Sequence, residues 1–284
     1  MNNFPFSHFF DDEKEDPTVA ARKSLPIAVL DSGAGGISVL SELIRLMPGE
    51  RFIYLGDAKN APYGSKTQQE VLNITLSNVE MLKKRGIKAL VIACNTATSA
   101  AVEYLREKEQ DLIIVGIEPA IKPASLVCER PKILVMATEL TLNLPKYHVL
   151  AARFDAVCER IISLPCPGLV EMIEQGDVDG ERMHKYLAAL FAPYLDTEID
   201  AVVLGCTHYR HVLPAIRSFW GEKTAIIDGC KGTAQQTLRL LWYDGLINTE
   251  GEGSVEFLCT AKDEKRIALY RSLLARAKTV HPLG

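Results

Sequence analysis

Short, nearly continuous apolar runs alternate along this chain with longer amphipathic stretches, and that alternation leaves few folds open. The runs are Ile27–Asp31, Phe52–Gly56, Ala89–Cys94, Leu112–Ile117, Lys132–Ala137, Arg160–Leu164, Ala201–Cys206, Ala225–Asp228 and Val255–Cys259. A strand with one wet face alternates apolar and polar residues, whereas these read as parallel strands covered on both faces. Between them the period becomes helical. After Ser65, the residues Leu72, Leu76, Val79 and Leu82 recur at spacings of three and four, and Gly86 supplies a C′ stop. Strand and helix in alternation predict an α/β fold of doubly wound, mainly parallel sheets.

A second regularity divides the chain. The stretch 87–96, IKALVIACNT, matches 199–208, IDAVVLGCTH, position for position. The next runs keep the same offset, IIVG at 113–116 against AIID at 225–228, and IAVLDS at 27–32 resembles ILVMAT at 133–138. Any two buried strands share Val, Ile and Leu, but the cysteine pair continues the match past the apolar run into the turn. Two similar α/β lobes are expected, one from 25–121 with 229–284 and one from 122–228. An extension, 1–24, is read as flexible, with the fold beginning near Ser24. Related lobes would bring their strand carboxyl ends to a shared cleft.

Composition narrows the class. Hydrophobic residues make up 48% and charged residues 24%, ordinary globular values that supply a large core. The net charge of -4 offers no surplus for neutralising phosphates, which argues against nucleic acid as the main partner. No apolar run approaches the roughly 20 residues of a membrane span, and the N-terminus lacks the basic start and apolar stretch of a secretory signal. Seven cysteines, at 94, 128, 158, 166, 206, 230 and 259, show no C-x-x-C spacing. Their odd, scattered arrangement suits a reducing compartment, and a cytoplasmic location is expected.

Five of those cysteines read as small hydrophobes. Cys94 and Cys206 differ, because each ends an apolar run and precedes hydrogen-bonding residues at a helix start. A helix N-terminus is expected to lower a thiol pKa. Two such thiols suit the inversion of a carbon stereocentre, which needs a base on one face of a planar carbanion and an acid on the other. Asp31, at the end of the first run, and His208, two residues past Cys206, are placed to orient them. The turn 31–38, DSGAGGIS, has Ser38 where G-x-G-x-x-G requires its third glycine, so the dinucleotide fingerprint fails. A cradle of backbone N–H groups and Ser32 for a small carboxylate fits better. Tyr63-Gly64, Asn95, Thr96, Thr138 with Thr141, and Thr207 add neutral donors at turns, a set suited to a small zwitterion.

These motifs, in order from about Leu25 onward, resemble those of the glutamate racemase family: Asp31-Ser32-Gly33, Gly56-Asp57, Pro62-Tyr63-Gly64, Cys94-Asn95-Thr96-Ala97, Pro119-Ala120, Ala137-Thr138, Glu171 and Gly205-Cys206-Thr207-His208. The resemblance implies interconversion of L- and D-glutamate without cofactor or metal, supplying D-glutamate for peptidoglycan. It implies that Cys94 removes the α-proton of D-glutamate and Cys206 that of L-glutamate. Asp31 and Glu171 would assist on one side and His208 on the other. Substrate contacts would come from Asp31, Ser32, Tyr63, Gly64, Asn95, Thr96, Thr138, Thr207 and His208. The chain departs from the family pattern at Arg210, where proline is common, and at Gly229, where serine often follows the aspartate. Oligomeric state is left open, a homodimer being one option. The rival readings are an aspartate or hydantoin racemase of the same fold, and a two-lobed binding protein without catalysis.

Overall fold

The computed structural model describes residues 17–277, and in it the apolar runs become strands paired in parallel throughout. They are β1 (Ile27–Asp31), β2 (Arg51–Gly56), β3 (Ala89–Ile92), β4 (Ile113–Gly116), β5 (Lys132–Ala137), β6 (Arg160–Pro165), β7 (Ala201–Leu204), β8 (Ala225–Asp228) and β9 (Ser254–Cys259). A five-stranded sheet has the order β4-β3-β1-β2-β9, and a four-stranded sheet the order β6-β5-β7-β8. The helices of the first half are α1 (Pro17–Lys23), α2 (Ile37–Leu46), α3 (Gln68–Lys83), α4 (Asn95–Lys108), α5 (Ile121–Ala124) and α6 (Glu139–Asn143). Those of the second are α7 (Pro145–Ala152), α8 (Leu169–Glu174), α9 (Gly180–Phe191), α10 (Leu213–Trp220), α11 (Cys230–Tyr243) and α12 (Glu264–Ala277).

The two sheets repeat one topology. Read from the other edge, β8-β7-β5-β6 follows the same path as β4-β3-β1-β2, with β9 an addition to the first sheet alone. Register agrees as well, since Ala89 pairs with Ile113 and Ala201 with Ala225, at equal sequence separation. The internal similarity is therefore a repeat of architecture rather than of composition.

Burial explains the runs. Along β1, Ile27 and Val29 face α2, α11 and α12 through Leu40, Leu43, Leu241 and Tyr270. Ala28 and Leu30 face α3 and α4 through Val79, Leu82 and Leu105. Both faces are dry, so both sets of alternate positions must be apolar. The edge strand β6 is different: Ile162 and Leu164 are buried while Arg160, Ser163 and Pro165 are exposed, and proline is tolerated there because no ladder partner lies beyond it.

Helix α3 starts on a capping box. Thr67 Oγ1 accepts from the Glu70 N–H at 3.3 Å, and Glu70 Oε2 accepts from the Thr67 N–H at 2.8 Å. It ends at Lys83, and Gly86, with φ of +67°, turns the chain out.

Two boundaries differ from the sequence reading. Residues 1–16 of the extension lie outside the described residues, but 17–23 form α1, so ordered structure begins before Ser24. Val19 packs on the first core, and the Lys23 carbonyl accepts from Lys88 Nζ at 2.6 Å, which ties the helix down. That ammonium is wholly buried, pairs with Glu50 at 2.6 Å and also donates to the Leu246 carbonyl at 2.8 Å. The strands carrying Cys94 and Cys206 also close two residues early, at Ile92 and Leu204, which leaves both thiols in the turns beyond them.

Candidate active site

In each sheet the chain leaves one strand to opposite sides, β1 to β2 and β3 in the first, β5 to β6 and β7 in the second. A crevice opens at the carboxyl ends of strands at such a switch point. Asp31 ends β1 and Cys94 follows β3; Thr138 follows β5 and Cys206 follows β7. These ends meet in one cavity of about 150 Å³, small beside the roughly 300–1,000 Å³ of drug-sized sites. Ser32, Tyr63, Gly64, Cys94, Asn95 and Thr96 line it from the first sheet's side, and Thr138, Glu171, Cys206, Thr207 and His208 from the second. Asp31 stands just behind, wholly buried, and its Oδ1 accepts from Thr207 Oγ1 of the other lobe at 3.4 Å.

The surroundings of Cys94 reverse one expectation. It is the N-cap residue of α4, the position expected to lower its pKa. Burial instead pushes the thiol up to about 12, and the nearby Asp31 carboxylate adds to the rise. Hydrogen bonds from the Ala97 N–H and the Ser32 hydroxyl pull the other way and are outweighed. Desolvation of a buried thiolate exceeds what one helix terminus returns. Cys94 therefore rests as a protonated thiol.

On the opposite side, Cys206 Sγ lies 3.9 Å from Nδ1 of His208. The other ring nitrogen, Nε2, lies 2.7 Å from Glu174 Oε1. Burial alone favours a neutral imidazole, but the hydrogen bonds to Cys206 and Glu174 dominate together and raise the His208 pKa well above its ordinary value. For Glu174, burial favours the neutral acid, yet His208, the Ala34 N–H and Arg266 hold the carboxyl down at about 2. The side chain beside Cys206 is thus a buried imidazole with a carboxylate behind it, an arrangement that favours its charged form.

Glu174 was not among the residues the sequence singled out. Glu171 was, and it borders the cavity beside Pro167 and Val170, but the carboxylate that meets His208 comes from the end of the same short helix. Residues three apart share a helix face, but nothing in the sequence reading pointed to Glu174.

The glycine turn also does something other than expected. Its N–H groups at Gly33 and Ala34 are committed, to Asp31 Oδ2 at 3.0 Å and to Glu174 Oε1 at 3.2 Å, so they make no open cradle. Its glycines admit the second lobe. A Cβ on Gly35 would lie 2.5 Å from Thr207 Oγ1 and 2.6 Å from His208 Nδ1, and one on Gly33 would strike Glu174. Ser32 still lines the cavity.

Other donors sort themselves by partner. The Tyr63 hydroxyl donates to Asp57 at 2.6 Å, so the ring walls the cavity while its polar end is occupied. Thr96 bonds across the lobes to Thr138 and Thr141, both at 3.0 Å, and those two bond to each other at 2.8 Å. Asn95 is buried at the cavity wall and its Oδ1 has no hydrogen-bond partner. Leaving such an acceptor unmatched costs roughly 1–3 kcal/mol, a penalty that a bound N–H donor relieves. Cys166 joins the cavity wall but gives its S–H to the Leu164 carbonyl at 3.4 Å, as a core thiol does. Arg210 does not line this cavity and is paired with Asp228 at 2.9 Å. Gly229 fits a tight approach, since a Cβ there would lie 2.6 Å from the Glu118 carbonyl. Among the described residues, no cluster of three or more His, Cys, Asp or Glu is arranged to hold a metal ion, and no helix is long and apolar enough to cross a membrane.

Known proteins are similar to this chain in sequence and in fold. The Asp/Glu/Hydantoin racemase family model matches residues 27–237. The chain is 49% identical over 253 residues to a glutamate racemase of Clostridium acetobutylicum, covering 89% of this chain and 98% of that protein. Among solved structures, a glutamate racemase isoform from Bacillus anthracis is similar with a TM-score of 0.80 at 30% identity, over 91% of this chain and 96% of that one. Glutamate racemase from Escherichia coli, in complex with L-glutamate and the activator UDP-MurNAc-ala, gives 0.76 at 28% identity, over 89% and 95%. By sequence and by fold, over most of its length, the chain belongs to the aspartate/glutamate/hydantoin racemase family.

Proposed function

We propose that this protein interconverts L- and D-glutamate by a two-base mechanism, supplying D-glutamate for peptidoglycan. The observation that carries the chemistry is that Cys94 and Cys206 reach one small cavity from different lobes. Cys94 is a thiol, an acid ready to deliver a proton to one face of the substrate. Cys206 sits against the His208 imidazolium, a counter-charge for a thiolate that withdraws the α-proton from the other face. Running the reaction in reverse exchanges the two roles. We assign L-glutamate to deprotonation by Cys206 and D-glutamate to deprotonation by Cys94, with Asp31 beside Cys94.

The wall suits an amino acid. Among the described residues no lysine or arginine lines the cavity, so carboxylates are met by hydroxyl, amide and backbone donors. The unmatched Asn95 Oδ1 offers an acceptor for the substrate ammonium. Glutamate over aspartate follows from the relatives, whose name is shared along nearly their whole length. Purified protein is expected to abolish the optical rotation of L-glutamate and, in heavy water, to place deuterium at the α-carbon. Rotation lost from aspartate but kept by glutamate would overturn the substrate and leave the mechanism standing; rotation kept by both would overturn the activity.

A further inference from the structure

Helix α12, the last described element, touches both lobes. Tyr270, wholly buried, packs edge-on against Tyr54 with ring centroids 5.3 Å apart, and Tyr54 in turn donates its hydroxyl to the Gly33 carbonyl at 2.8 Å. These contacts fix the helix beneath the glycine turn of the first lobe. One turn earlier on the same face, Arg266 crosses to the second lobe and ion-pairs with Oε2 of Glu174. The other carboxylate oxygen faces His208 Nε2 and the Ala34 N–H. A carboxylate side chain can rotate about its terminal bonds, and a guanidinium on the far oxygen removes that freedom.

We infer that Arg266 is a positioning residue, which acts through Glu174 to hold His208 in line with Cys206 from a helix belonging to the opposite lobe. The guanidinium does not line the cavity and is about one-third exposed, and its ion pair with Glu174 is the link from it to His208. This rests on the racemase reading above, because it needs Cys206 to take the proton from L-glutamate. Consequences follow for one half of the reaction. Without Arg266 the transfer at Cys206 slows, while the transfer at Cys94 keeps its own surroundings of Ser32, Asp31 and the Ala97 N–H.

The test is a double-mutant cycle read in kcat, KM and isotope effects. Arg266→Gln is expected to lower kcat about 10-fold with little change in KM, and Arg266→Lys to recover most of it. In a Glu174→Gln background the same Arg266→Gln change is expected to cost less than about 2-fold, since residues acting as one unit are not additive. The primary isotope effect on α-deuterated L-glutamate is expected to rise in Arg266→Gln, and that on α-deuterated D-glutamate to stay level or fall. An equal loss in both backgrounds, or isotope effects that move together, would show that Arg266 only docks the helix and would overturn the inference. If Arg266→Gln folds poorly, Arg266→Met keeps the packing of the stem and Arg266→Lys keeps the charge, and full activity in Arg266→Met overturns it equally. Failure of the wild-type protein to racemise glutamate would strike the racemase reading instead, independently of any variant.

Discussion

Glu174 Oε1 stands 2.7 Å from His208 Nε2, a partly buried contact between the end of α8 and the turn that follows Cys206. It ties a residue that never faces the cavity to the imidazole that does. Glu174→Gln keeps the shape, removes the charge, and is expected to lower kcat by about 10- to 100-fold. Unchanged kcat in a stopped-time polarimetric assay would show that His208 is held by its other contacts.

The same pair sets a pH window for stability. The Glu174 carboxyl falls from 4.5 to about 2 on folding, so its contribution is complete above about 4.5 and is lost as pH falls toward 2. His208 is raised, so its contribution is complete below its unfolded value and fades as pH climbs through its folded one. Urea unfolding at pH 3, 4, 5 and 7 is expected to show Glu174→Gln closing its gap to wild type toward pH 3. A gap that stays constant over this range would contradict the linkage.

The two thiols make the plainest prediction. Cys94→Ala and Cys206→Ala are each expected to abolish net racemisation in either direction, since each removes the acid or base from one face. Chiral chromatography of product formed from each pure enantiomer checks this. Wild-type conversion by either variant would end the two-base mechanism.

Gly35 tests the approach of the lobes. Adding one methyl by Gly35→Ala forces Thr207 and His208 away, because the new carbon meets both inside 2.7 Å and the His208 backbone at 2.8 Å. A misplacement of about 1 Å can cost about 100-fold in rate. We expect kcat to fall by that order while the folded state persists by circular dichroism. Retained activity would mean that the turn yields without moving the histidine.

Far from the cavity, Lys88 and Glu50 form an ion pair with almost no exposure. Removing one partner strands the other charge, and Lys88→Met is expected to cost about 3–5 kcal/mol. The double replacement Lys88→Met with Glu50→Gln is expected to recover a large part of that loss, measured as ΔG of unfolding in urea. A single variant as stable as wild type would show that water reaches Glu50.

Much of the layout was readable from residue order alone. The β1 run reads as apolar at its first four positions, Ile27 to Leu30, because α2 and α11 cover one face and α3 and α4 the other. The offset between the cysteine runs and the runs after them survives as strand register. What residue order left open was distance across the lobes. Glu171 and Glu174 are equivalent in a helical pattern, and only the placement of α8 against the Cys206 turn gives His208 the second of them. Arg266 lies 92 residues from Glu174 along the chain, beyond the reach of any local pattern.

Sequence by itself determined the strands, their order of use and the two thiols at the ends of matching runs, since hydrophobic period and turn chemistry are local properties. Tertiary structure alone decided how those thiols are tuned. Cys94 was expected to be a lowered thiol at a helix start, and burial beside Asp31 makes it a raised one. Local sequence shows the helix terminus; desolvation and the approach of the Asp31 carboxylate from the end of β1 depend on packing, and for a buried thiol they are the larger effect.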